Sequence, residues 1–108
     1  MRVRLLAPNA ADGTPCSSLT FGKEYEVLGI EANWLRLLND RVEPVLYDSV
    51  LFEVIEFAEP EDWVSAVEDG VRYAYSPKWS NPGFFEDWHD GIEEVRRQFS
   101  EDLAQRSI

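Results

Sequence analysis

The side chains able to do covalent or metal chemistry are few. Cys16 and His89 are the single cysteine and the single histidine, and together they are the one thiol–imidazole couple the composition permits. Nothing near Cys16 in sequence supplies a cation or a helix start to stabilise a thiolate, so an inert or half-buried thiol is the favoured reading. Metal ligation needs His, Cys and carboxylates clustered in a defined geometry. Asp87-Trp88-His89-Asp90 could set a cation between carboxylates, but with one histidine it reads better as a solvated helix start, where negative charge is favourable. No metal site and no cofactor site is expected.

The six glycines stand singly along the chain, each explicable as a turn or cap, and none builds a phosphate-cradling loop ahead of a helix. With 21 acidic residues, some carboxylates must lie close to one another, so proximity alone nominates no acid–base dyad. The chain reads as a non-enzyme.

What remains is charge and aromatic content. The formal charge is −11, and it is uneven: residues 1–55 carry 8 acids and 5 bases, residues 56–108 carry 13 acids and 5 bases. Such a surface repels phosphate backbones and attracts a basic partner. The second half also holds Trp63, Tyr73, Tyr75, Trp79, Phe84, Phe85 and Trp88. Aromatic anchors flanked by acids would suit a basic protein, so the partner-binding candidates are Glu61, Asp62, Trp63, Trp79, Glu86, Asp87, Trp88 and Asp90. Trp79 and Trp88, in Pro/Gly-interrupted or charged stretches, are expected to be exposed; most other rings are expected to glue helices to the rest.

These candidates need elements to hold them. Alternation predicts strands over 3–7, 24–30, 34–38, 45–47 and 52–55, with a single helical turn at 48–50. Tyr25 and Val27 share one face of the second strand, opposite Glu24, Glu26, Leu28 and Ile30, and Gly29 marks a bend or bulge. Leu35 and Leu37 share one face of the third, opposite Trp34, Arg36 and Leu38. Beyond Phe57, Trp63 to Ala66 and Val71 to Tyr75 flank Glu68-Asp69-Gly70 as a hairpin; a short helix across Trp63, Val64 and Val67 is the competing reading. Residues 83–108 are helical in pattern. Ile92, Val95, Phe99 and Leu103 form an apolar stripe, Asp90 and Glu93 form a capping box, and Glu93/Arg97 and Asp102/Arg106 pair along the outer side. The stripe is expected to lie on Leu28, Ile30 and Leu38.

The run from residue 19 to 56 resembles the SH3-like modules of small bacterial and phage proteins. It carries Leu19, Thr20, Gly22, Lys23 and Tyr25 at the start of a strand, then the Asn39-Asp40 turn, then Tyr47, Phe52 and Glu53. The resemblance implies an α+β, mainly β fold: a small SH3-like five-stranded barrel over about 3–56, followed by a hairpin and a C-terminal helical segment packed on it. One domain, 1–108, is expected, with 1–57 as barrel and 58–108 as extension. The long first loop has Pro8, Pro15 and Cys16 but no tyrosine pair, so the proline-rich ligands of eukaryotic SH3 domains are not expected.

Size, architecture and acidity together resemble the immunity proteins that bacteria make against polymorphic toxins. That resemblance implies an acidic inhibitor that occludes a basic toxin domain; an SH3-like adaptor binding another protein or peptide is the alternative. No nucleic acid or membrane partner is expected. A lone cysteine and the absence of an apolar run at the start suit a reducing, cytoplasmic setting.

Overall fold

A computed structural model describes residues 1–106, with side chains placed through Gln105. Seven antiparallel strands form one sheet, and two helices pack on its outer surface. The strands are β1 (Arg2–Leu5), β2 (Glu24–Glu31), β3 (Trp34–Leu38), β4 (Pro44–Asp48), β5 (Phe52–Glu56), β6 (Val64–Glu68) and β7 (Val71–Tyr75). The first five run in the order β4-β3-β2-β1-β5. A one-turn 3-10 helix, Ser49–Leu51, capped by the Asp48 carboxylate, separates β4 from β5. The α+β, mainly β architecture is the one expected.

β2 organises the rest. One of its edges pairs with β3, while the other pairs first with β1 (Arg2↔Glu26 to Arg4↔Glu24) and then with β7 (Gly29↔Tyr75 to Glu31↔Tyr73). The hairpin β6–β7 therefore extends the barrel sheet, and the helical alternative for residues 63–67 is set aside. Its turn, Asp69-Gly70, has φ of 52° and 80°, the doubly left-handed geometry that matches strand twist in two-residue hairpins.

A bulge between Val27 and Gly29 shifts the β2–β3 register by one residue. The extra residue reverses the inside–outside alternation beyond it. Val27 and Ile30 both meet the barrel core of Val3, Leu5, Tyr25, Leu35, Leu37 and Phe52, whereas Leu28 turns outward to a second core with Tyr75, Trp79, Phe85, Trp88 and Phe99. The helical stripe thus finds Leu28 and Leu38 as expected, but not Ile30.

The motif at the start of β2 is a lock on the long first loop. The Asp40 carboxylate accepts hydrogen bonds from Thr20 Oγ1 (2.7 Å), Lys23 Nζ (2.9 Å) and the Tyr25 hydroxyl (2.7 Å), while the Tyr25 oxygen accepts from Thr20 N–H. Asn39 Oδ1 takes the amides of Arg41 and Glu43, its Nδ2 donates to Tyr47, and the Tyr47 hydroxyl donates to Ser17 carbonyl. These residues hold two loops together; they are spent on the fold.

The C-terminal half holds a second 3-10 turn, Pro77–Trp79, then α1 (Phe84–His89) and α2 (Glu93–Arg106). The predicted continuous helical pattern is broken at Gly91. There the amide of Ile92 donates to Asp87 carbonyl and that of Gly91 to Trp88 carbonyl, a crossed pair of bonds that ends a helix with a left-handed residue, here Gly91 at φ 80°. Asp90 accordingly caps the end of α1 and forms no capping box, and Ile92 is 47% exposed, outside the stripe. Phe99 is buried, with Val95 and Leu103 at its margins. No ion pair joins Glu93 to Arg97 among the described residues. Asp102 is buried, and the side chain of Arg106 lies outside the described residues. No described helix is long and apolar enough to cross a membrane.

Candidate functional site

The acids of the expected site are exposed and the tryptophans are not. Glu61 and Asp62 lie in the turn that leads into β6, where Trp63 N–H donates to Pro60 carbonyl at 3.2 Å. Glu86, Asp87 and Asp90 lie exposed on and just after α1. Trp63 is half-buried against the barrel core. Trp79 is 3% and Trp88 9% exposed, so the expectation that they project into solvent is corrected. Both fill the second core: Trp79 packs on Phe85 and Phe99 and donates its indole N–H to Asp102 at 3.0 Å, and Trp88 is covered by the Arg96 guanidinium at 4.4 Å. Pro and Gly nearby in sequence shape a compact turn around these rings rather than an open loop.

Where the hairpin meets the segment leading into α1, a groove of about 590 Å³ opens. One wall is β6 and β7, including Val64, Ser65, Ala66 and Tyr73; the other is residues 79–86. Of the expected site, Trp79 and Glu86 line it; Glu31 and Glu68 join them from strands that alternation alone marks as ordinary. None of its lining residues is Lys or Arg. Among the described residues Glu68 and Glu86 have no cationic partner.

Glu31 sits in this groove with a different status. Arg36, 5% exposed, donates from Nη2 to Glu31 Oε2 at 2.9 Å, from Nε to the Tyr75 hydroxyl at 2.9 Å and from Nη1 to Pro44 carbonyl at 2.8 Å, and it lies 4.1 Å over the Phe85 ring. Tyr75 donates its hydroxyl to the same Glu31 oxygen. Burial drives the Tyr75 phenol far above its ordinary pKa, with Arg36 opposing, so it stays a donor. The buried guanidinium is thereby paired and hydrogen-bonded, as an interior charge must be. One carboxylate oxygen of Glu31 is held rigidly, and the side chain remains 29% exposed at the groove.

His89 and Cys16 serve separate parts of the molecule. His89 Nε2 lies 2.9 Å from Pro44 carbonyl, beside the second core, whereas the free Cys16 packs against the barrel core. Among the described residues no group of three or more His, Cys, Asp and Glu side chains is placed to hold a metal ion. A smaller groove of about 340 Å³, between β2, the turn after β3 and Leu103, is lined by Lys23 and Asp40 of the loop lock.

No family model, curated protein or solved structure matches this chain. The functional reading rests on the groove itself. Its Glu31 and Glu68 escape a sequence reading because the groove exists only once β7 has paired with β2. The one local hint is the Glu31/Arg36 pair spaced across a tight two-residue hairpin turn.

Proposed function

We propose that this chain is a non-enzymatic, acidic binding protein that recognises and inhibits a basic protein partner, in the manner of an immunity protein neutralising a toxin domain inside the cell. The observation that carries the reading is the groove between the hairpin and α1: no lysine or arginine lines it, and it presents Glu68 and Glu86 without a cationic partner beside Glu31, whose charge Arg36 pairs, on a chain of net charge −11. The field of such a surface steers a cationic partner before contact, and the half-buried rings of Tyr73 and Phe84 offer it apolar area. The polar cluster of Arg36 with Glu31 and Tyr75 is spent on the fold, since Arg36 gives its donors to groups of this chain.

The test is capture of partners from the source lysate at low and high salt, followed by titration of any captured protein against wild type and Glu68→Lys/Glu86→Lys. The reading expects a basic partner whose affinity falls as the Debye length shortens from about 10 Å at 0.1 M to about 3 Å at 1 M salt. It also expects the double reversal to weaken binding at least about tenfold, or ~1.4 kcal/mol. A partner that binds the reversed protein as tightly as wild type would sink the reading.

A further inference from the structure

Among the described residues, three strands have only one neighbour: β4, β5 and β6. Free strand edges invite pairing with another chain, and proteins blunt them with proline, inward charges or cover. β4 begins with Pro44 and ends at the capping residue Asp48. β5 carries Glu53 and Glu56, tied to Arg4 and Arg2. β6 has the sequence Val-Ser-Ala-Val-Glu, every residue of it exposed, with Val67 at 71%, and no proline or lysine to protect it.

The two-residue turn sets which backbone groups of β6 are free. With Asp69-Gly70 as the loop, the closing pair Glu68↔Val71 exchanges hydrogen bonds, and so do Ala66↔Tyr73 and Val64↔Tyr75. Arg72 conforms to this phase, since its carbonyl points the other way and accepts from Ala32 N–H at 2.9 Å. The amides and carbonyls of Ser65 and Val67 therefore point away from β7. On the same strand Val64, Ala66 and Glu68 share the face of Tyr73 and Tyr75, which is the groove face.

We infer that the partner docks by strand addition: an extended cationic segment pairs with the free edge of β6 and sets its alternate Lys or Arg side chains on the groove face, against Glu68 and Glu86. This rests on the reading of the chain as a binder of a basic protein. A strand laid on β6 repeats its side chains every second residue on one face, so a basic residue at alternate positions meets the acidic groove while the residues between lie on the side of Val67. Charge selects the occupant. A second copy of a chain carrying −11 would bring like charge to the same edge, whereas a cationic strand is attracted to it.

The probe is a short acetylated and amidated peptide of alternating lysine and valine, compared with a twin of equal charge whose backbone amides are all N-methylated, so that neither of its edges can pair. Docking is expected to slow hydrogen exchange at the amides of Ser65 and Val67 by about tenfold or more at saturation, since these amides become paired. The twin is expected to leave them unprotected. Ser65→Pro, which removes an outward N–H that the hairpin does not use, is expected to weaken the peptide about tenfold. The exchange comparison in wild type does not depend on how that variant folds. Equal protection by the twin, or unaltered exchange at Ser65 and Val67 while the peptide still binds in a Glu68- and Glu86-dependent way, would overturn strand addition and leave the basic-partner reading standing. No binding of either peptide at low salt would count against both. A dimer of the protein alone that Ser65→Pro dissolves would assign the edge to a second copy and overturn the inference.

Discussion

Gly29 runs so close to the ring of Tyr75 that a β-carbon at position 29 would lie 2.0 Å from Tyr75 Cε1. The two residues are partners across β2 and β7, and their close approach lets the Tyr75 hydroxyl reach Arg36 and Glu31 at the groove floor. Gly29→Ala must push the ring away, and overpacking of this kind costs about 3 kcal/mol at the upper end of its usual range. Denaturant unfolding of Gly29→Ala, Tyr75→Ala and the double variant checks the cause. The glycine substitution should cost at least about 1 kcal/mol less once the ring is gone; strictly additive penalties would mean that the ring is not the obstacle.

Asp40 ties acid stability to the first loop. Its bonds from Lys23, then Thr20 and Tyr25, lower the carboxyl from 3.8 to about 2. A folded pKa below the unfolded one stabilises the protein above the unfolded value, and that stability is lost as pH falls through the folded one. Asp40→Asn is therefore expected to be less stable than wild type at pH about 5, with the gap closing as pH falls from about 4 towards about 2. A gap that stays constant through this window, measured by urea unfolding, would contradict the assignment.

Val42 occupies the left-handed region at φ 60° while 64% exposed. A β-branched residue is strained there, by roughly 1–2 kcal/mol. The turn is held without its side chain, through Asn39 Oδ1 and the bond from Val42 N–H to Asn39 carbonyl. Val42→Gly is expected to stabilise the protein by about 1 kcal/mol, read as a higher Tm. A lower Tm would refute the strain.

Phe99 and Ile92 separate the real stripe from the sequence pattern. Phe99 is 2% exposed and meets Trp79, Phe85 and Trp88, so Phe99→Ala is expected to cost about 3–5 kcal/mol. Ile92→Ala, on a residue 47% exposed, is expected to stay within about 0.5 kcal/mol. Similar losses from the two in thermal unfolding would restore Ile92 to the core.

Local alternation carries β3 completely: Leu35 and Leu37 face the barrel while Arg36 and Leu38 face the helices. The hairpin at Asp69-Gly70 is equally legible, because two left-handed positions in a row demand such residues. Ile30 is misplaced by the same alternation, since one bulged residue at Leu28 reverses everything after it. Trp79 and Trp88 are misplaced for a different reason. A proline, a glycine or a run of acids nearby describes the backbone around a ring, and burial is decided by what folds over it, here Phe85 and Phe99 for the one and Arg96 and Phe99 for the other. The acids Glu86, Asp87 and Asp90 are legible as surface, yet only the pairing of β7 with β2 brings Glu86 into one groove with Glu31 and Glu68.

The most direct test of that groove is kinetic. Steering by charge acts on the association rate and fades with salt, whereas lost packing acts mainly on dissociation. Association of the captured partner with wild type and with Glu68→Lys/Glu86→Lys should be followed across a salt series. The account predicts that the double reversal slows association at low salt and flattens its salt dependence, in a protein that still unfolds cooperatively. Equal rates and equal salt slopes for the two proteins would contradict it.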